Sequence, residues 1–175
     1  MYQIGEYIIY ENSGVCKVAG ITTPECCDSL SGMPAGREYY ILEPLYKTGT
    51  IYTCANPSRA FMRPVITRTE ADSLIERIPT LREQAFYARN LQTLKDHYRN
   101  SVSSHSCEHL IRLTSSIYSK RKKAAADGKK LGQVDEKYMK QAEEQLFGEL
   151  AVALDIDRRA VPDYIAAHVN ESAAG

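Results

Sequence analysis

Near residue 67 the apolar pattern changes period, so one uniform architecture cannot serve both ends of this chain. Before that point it is rich in Tyr, Ile, Val and Thr and broken by Gly and Pro. Tyr7-Ile8-Ile9-Tyr10 is β-prone, Asn12-Ser13-Gly14 offers a turn whose Gly can take positive φ, and Val15 to Thr23 reads as a second strand. Pro24 to Gly36 reads as a long loop. Glu38–Glu43 and Thr50–Thr53 read as two further strands around a turn at Lys47-Thr48-Gly49. Short strands joined by turns predict a small antiparallel barrel or sandwich.

Beyond that point the spacing is helical. Thr69-Glu70-Ala71-Asp72 reads as a cap opening a short helix with Leu74, Ile75 and Ile78 on one face, ended by Pro79. Thr80-Leu81-Arg82-Glu83 has capping-box spacing and predicts a second helix to about Arg99. A polar break over Ser101–His105 precedes a third, Ser106 to Ala126, which Asp127-Gly128 ends. Asp135 is expected to cap a fourth, through Leu154, burying Tyr138, Ala142, Leu146, Leu150 and Val152. A fifth runs from Asp157 to about Val169 with Val161, Tyr164, Ile165 and Val169 inward. The expectation is an α+β multidomain chain: a β module over 1–68, about five helices over 69–170, and a frayed tail over 171–175.

Composition narrows the function classes. Five cysteines, two of them adjacent, form no C-x-x-C or C-x-x-H pair, so neither a zinc site nor a disulfide framework is expected, and the thiols read as reduced and structural. No run approaches the roughly 20 apolar residues that span a bilayer, nor does Met1–Tyr10 resemble a signal peptide, so a cytoplasmic protein is expected. His105 and His109 flank Cys107 and Glu108, a weak metal pattern against the ordinary reading of partly exposed histidines. Gly128-Lys129-Lys130 lacks the upstream Gly and following Ser or Thr of a phosphate loop, and no nucleophile elbow occurs. A non-enzymatic chain without cofactor is expected.

Charge placement says more than net charge, which is zero from 22 basic and 22 acidic residues. Ile117 to Lys140 holds eight basic residues (Lys120, Arg121, Lys122, Lys123, Lys129, Lys130, Lys137, Lys140) against Asp127, Asp135 and Glu136. Such a run is either a solvated helix end or a face that contacts phosphates. In 1–68 six bases balance six acids, and the Tyr-rich strands offer edges that can accept a partner strand.

Taken in order, the motifs resemble the CarD/CdnL family of bacterial transcription regulators. They are Ile4-Gly5-Glu6-Tyr7-Ile8-Ile9-Tyr10, Gly14-Val15-Cys16-Lys17-Val18, Tyr39–Leu42, and Asn56 followed by Met62-Arg63-Pro64-Val65-Ile66. The C-terminal set is Leu110–Leu113 through Tyr118, Gly128–Leu131, Asp135–Tyr138, Ala142-Glu143 and Leu146–Ala151. The resemblance implies a Tudor-like antiparallel β-barrel that docks on the β subunit of RNA polymerase, and a helical domain that contacts promoter DNA at the upstream edge of the bubble, phosphates and minor groove alike. It implies a monomeric protein that modulates open-complex stability, with a polymerase-bound adaptor lacking DNA function as the alternative. Two departures stand out. The family's wedge Trp has no counterpart, since the chain contains no Trp; Leu91 falls near that position, with Phe86 and Tyr87 upstream. The family's basic docking residues fall near Pro24 and Ile51. Docking is therefore expected through backbone pairing and apolar contact around Ile21, Thr22, Thr23, Ile51 and Tyr52. DNA contact is expected from Phe86, Leu91, Lys120, Arg121, Lys129, Lys130 and Lys137, the last matching a basic DNA-contacting position.

Overall fold

The computed structural model describes residues 1–174, with side chains described through Val169. It divides into two compact units, Met1–Val65 and Ile66–Gly175.

In the first unit five antiparallel strands are laid out as β4-β3-β2-β1-β5: β1 Tyr7–Tyr10, β2 Gly14–Thr22, β3 Tyr39–Pro44, β4 Ile51–Cys54 and β5 Met62–Pro64. The β1–β2 hairpin closes on Gly14 at φ +77, where a side chain would be strained. An irregularity between Val18 and Gly20 resets the β2–β3 register. The partners Ile8↔Cys16, Val18↔Leu42 and Ile21↔Tyr40 therefore share one face, and Ile8, Cys16, Val18, Tyr40 and Leu42 form its buried core, with Tyr10, Ile21, Ile51 and Met62 packed at its margin. At Gly20 a Cβ would stand 3.3 Å from Cδ1 of its cross-strand partner Ile41, so the Ile41 side chain occupies the space over this glycine. In its hydrogen bonding the sheet is open: β4 and β5 are its two ends and do not pair with each other, so the closed barrel that the resemblance implies is not among its ladders. Four of the five strands are legible in the sequence, the short β5 is not, and closure depends on shear and tilt that spacing does not encode. The loop over 24–36 is not featureless, since a 3-10 turn at Asp28–Leu30 buries Leu30.

Cys16 illustrates what this core does to a titratable group. Burial pushes its thiol from an ordinary value near 9.0 up to about 11, Lys47 pulling weakly the other way. The neutral thiol is favoured in the fold, so between about pH 9 and 11 the unfolded chain sheds a proton that the folded one keeps, and stability falls as pH rises through that window. Iodoacetamide at pH 8 is expected to modify the exposed Cys26 while Cys16 stays unlabelled until denaturant is added. Mass spectrometry of the labelled protein checks this; equal native labelling of both would contradict the packing.

The second unit holds five helices: α1 Arg68–Glu76, α2 Leu91–Ser103, α3 Cys107–Ala126, α4 Gln133–Leu154 and α5 Val161–Ala174. Three expected boundaries are corrected. Helix α1 is capped by Thr67, two residues before the expected Thr69: its hydroxyl accepts from Glu70 N–H while Glu70 accepts from Thr67 N–H. The second helix starts at Leu91 behind the cap Asn90, not at Thr80. After a 3-10 turn at Ile78–Thr80 the chain runs as a non-helical strap, because α3 satisfies its backbone instead. Glu83 N–H donates to Ser115 Oγ (2.8 Å), and Ser116 Oγ donates to the Gln84 carbonyl (2.9 Å). Asp135 does not cap α4; Gly132 holds that position and Asp135 lies buried one turn in. The stop at Gly128 is as expected: it takes φ +69, its N–H donates to the Ala125 carbonyl, and Lys129 N–H donates to that of Ala124, a Schellman closure.

The core of this unit unites Leu74 and Ile75 of α1, Leu94, Tyr98 and Val102 of α2, Leu110, Leu113 and Ile117 of α3, and Leu146, Leu150 and Leu154 of α4. Val161 is buried, whereas Val152 is half-buried. The fifth helix is preceded by a 3-10 turn at Arg158–Ala160 with Asp157 as its cap, and its backbone is helical through Ala174; of the expected tail over 171–175, Gly175 and the side chains lie outside the described residues.

Candidate docking edge and cationic face

The two ends of the sheet differ in what their outward backbone offers. Ala55 N–H donates to the Glu38 carbonyl (2.8 Å), which sets the phase of the β3–β4 ladder: Thr53 and Ile51 exchange hydrogen bonds with β3, while Tyr52 and Cys54 turn their N–H and C=O groups outward. At the opposite end Val65 N–H donates to the Tyr7 carbonyl and Glu11 N–H to that of Phe61, so the outward positions of β5 are Met62 and Pro64. Pro64 has no N–H to give. Edge β5 is thus short and guarded by proline, whereas β4 presents donors and acceptors to a partner strand.

Of the expected docking residues, Ile51 and Tyr52 lie on this open edge, and Ile21 and Thr22 end β2, with Thr23 just beyond. Their side chains divide differently from the expectation. Ile21 and Ile51 pack against the unit's own core, so their apolar surface is largely spent internally; Tyr52 is on the other face and half-exposed. What the edge offers is backbone first.

In the helical unit Asp135 is 4% exposed, accepting from Tyr98 Oη (2.6 Å) and from Lys120 Nζ (2.9 Å). Burial, then the Asp135 carboxylate, pushes the Tyr98 hydroxyl far up. Lys120, expected to meet DNA, is therefore an internal partner. Its Nζ also lies 5.0 Å from the centroid of the Tyr87 ring, with Lys123 Nζ at 5.9 Å. Phe86 is half-buried and stacked on His97 (centroids 3.7 Å apart, planes at 14°), so it is part of the packing. Leu91, by contrast, is 63% exposed in the first turn of α2, and Tyr87 is 59% exposed on the strap. Arg121, Lys129, Lys130 and Lys137 are all exposed, the lysine pair in the α3–α4 turn and Lys137 in the first turns of α4. The outcome is an exposed aromatic ring flanked by two ammonium groups, on the unit that also carries the exposed lysines of the α3–α4 turn. Spacing alone marks Tyr87 only as a neighbour of the wedge position; its one signal is an aromatic in a segment whose periodicity imitates a helix.

The weak metal pattern does not assemble as read. His105 takes φ +53 in the α2–α3 turn, and Cys107 is buried with its thiol donating to Glu149 Oε2 (3.0 Å), whose other oxygen accepts from Ile66 N–H (3.1 Å). Among the described residues no group of three or more His, Cys, Asp or Glu is placed to hold a metal, and no helix is long and apolar enough to cross a membrane.

A small antiparallel sheet with one guarded and one open edge has room for a partner strand at the open one. Residues 2–66 match the family model of the CarD-like/TRCF RID domain, so the first unit is similar to that family over nearly its whole length. An RID domain is a kind of RNA polymerase-interacting domain, which ties this unit to transcription. No curated protein matches the chain.

Proposed function

We propose that the chain is a transcription regulator that docks on the β subunit of RNA polymerase and grips promoter DNA with its helical unit at the upstream edge of the bubble. The observation that carries this reading is the RID match over 2–66 on a unit whose β4 edge offers unspent backbone donors and acceptors. In this reading the sheet belongs to the Tudor-like class that the resemblance implies, and a polymerase strand extends it beyond β4. Tyr87 and Leu91 supply exposed stacking and wedging surface, and Lys123, Lys129, Lys130 and Lys137 face phosphates. The protein acts as a cytoplasmic monomer, by binding and without catalysis: contacts made better with melted DNA shift the closed-to-open equilibrium.

Charge reversal tests it. With full-length protein and polymerase on a promoter, Lys129→Glu with Lys130→Glu is expected to change open-complex lifetime about fivefold and to reduce the salt dependence by a slope of about two, one for each phosphate that a lysine no longer neutralises. Tyr87→Ala is expected to change lifetime comparably while leaving the slope alone, because stacking releases few counterions. Identical lifetimes for all three proteins would remove the DNA contact. One observation favours the adaptor alternative: Lys120 and Phe86, two of the expected DNA contacts, are engaged inside the unit. The same experiment decides, since an adaptor retains polymerase binding while none of these substitutions alters lifetime.

A further inference from the structure

Away from the cationic face, α3, α4 and α5 leave a groove of about 880 Å³. Its walls follow helical spacing: Ile111, Ser115, Tyr118 and Lys122 on α3, Met139, Glu143, Leu146 and Phe147 on α4, Pro162, Ile165 and Val169 on α5. At about 100° per residue Lys122 lies about 160° around α3 from Lys120, so this is the opposite side of α3 from Tyr87. From Ile111 to Lys122 the groove follows α3 for about 16 Å, roughly three helical turns. Three helix faces converge with no fourth helix among the described residues lying between them, which is the shape that ridges-into-grooves packing fills with one more helix.

Polar groups restrict the occupant. Glu143 stands half-buried on the wall and accepts no hydrogen bond from a described residue; burial raises its carboxyl, with Arg121 partly offsetting this. A desolvated carboxylate on an apolar wall repels phosphate and favours a cation. Arg82 and Lys122, also lining the groove, favour acids.

We infer that this groove receives an amphipathic helix from a protein of the transcription complex, with an apolar ridge at i, i+3 or i+4, and i+7, a Lys or Arg set against Glu143, and an acid facing Arg82 or Lys122. The inference rests on the polymerase-docking reading, which supplies the neighbourhood in which such a helix is met.

The test uses the full chain, purified RNA polymerase holoenzyme and promoter DNA. A photoreactive benzophenone side chain is placed at position 147 or, in a second protein, at position 165, and a third protein carries it at position 52 as a reporter of edge docking. Expected is labelling of polymerase from position 52, and from 147 and 165 labelling of a helical segment of one protein subunit. Glu143→Lys should cut groove labelling about fivefold, the size of one partly desolvated ion pair, and leave labelling from 52 unchanged. Labelling from 52 with none from 147 and 165 overturns the inference while docking stands. So does labelling of DNA, or of a second copy of this chain, from the groove. Absence of labelling from 52 defeats the docking reading itself, and the inference with it.

Discussion

Replacing Tyr52 by proline is expected to weaken binding to RNA polymerase by at least about tenfold while leaving the chain folded. The phase of the β3–β4 ladder turns the Tyr52 N–H away from β3, so proline here removes no hydrogen bond from the sheet. It removes the donor that an added partner strand would use and puts a pyrrolidine ring in that strand's path. One such bond contributes only about 0.5–1.5 kcal/mol net, but the ring also forces the partner strand out of register, so a tenfold loss, about 1.4 kcal/mol, is a lower estimate. Two companions make the result specific. Tyr52→Ala should bind within about threefold of the parent, because the edge acts through backbone. Thr53→Pro should instead unfold the unit, since Thr53 is buried and its N–H faces Tyr40 across the ladder. Affinity is read by titration against core polymerase, with circular dichroism as the control for folding. Unchanged affinity for a folded Tyr52→Pro protein would refute β4 as the docking edge.

This edge also shows how far the sequence could be read. The strands at Tyr7, Val15, Tyr39 and Ile51 follow from β-branched and aromatic runs between Gly-bearing turns, and the structure places β1 to β4 there. What alternation could not supply was the bulge after Val18, which decides that Ile21 turns inward beside Tyr40. A one-residue slip flips every later side chain of β2 to the other face, so Ile21 packs on the core; Ile51, placed among the docking residues by the resemblance, also serves the core, through the regular β3–β4 register. The edge itself is a property of strand order, and order is long-range: β5 is only Met62–Pro64, too short to stand out, yet it caps the end that leaves β4 open.

The helical unit divides similarly. Helices α3 and α4 are long and strongly periodic and fall within three residues of their expected ends, whereas the stretch after Thr80 has helical spacing without helical structure. Ser115 and Ser116 lie over 30 positions away in sequence, and their hydroxyls offer the strap backbone the partners that a local helix would otherwise provide. That strap is what brings Tyr87 to Lys120 and Lys123. Charge counting located the basic region but could not tell a free lysine from an engaged one, because Lys120 and Asp135 meet only once α3 and α4 fold back on each other.

That meeting sets the second large expectation: Asp135→Ala should destabilise the helical unit by about 3 kcal/mol. The carboxylate is the common acceptor for a fully buried Tyr98 hydroxyl and for Lys120 Nζ. Its removal orphans that hydroxyl in an apolar core, a loss of about 1–3 kcal/mol, and leaves an ammonium group without its counter-charge. Lys120 keeps 14% of its side chain exposed and can reach water, so the total stays near the lower end of the roughly 3–5 kcal/mol range for a broken buried pair. Tyr98→Phe should cost about 1 kcal/mol, because Asp135 keeps Lys120. In the double mutant the two losses should not add: with no carboxylate left, deleting the hydroxyl relieves the orphaned donor, giving a coupling of about 1 kcal/mol. Urea unfolding followed by far-ultraviolet circular dichroism measures all three proteins. Additive losses, or an Asp135→Ala cost below about 1 kcal/mol, would mean that the buried triad does not hold α2, α3 and α4 together. Release of Lys120 should also free the Tyr87 ring of one of its two flanking ammonium groups. In the absence of urea, the same substitution should therefore alter open-complex lifetime in the direction of Tyr87→Ala, linking the interior acid to the outward ring.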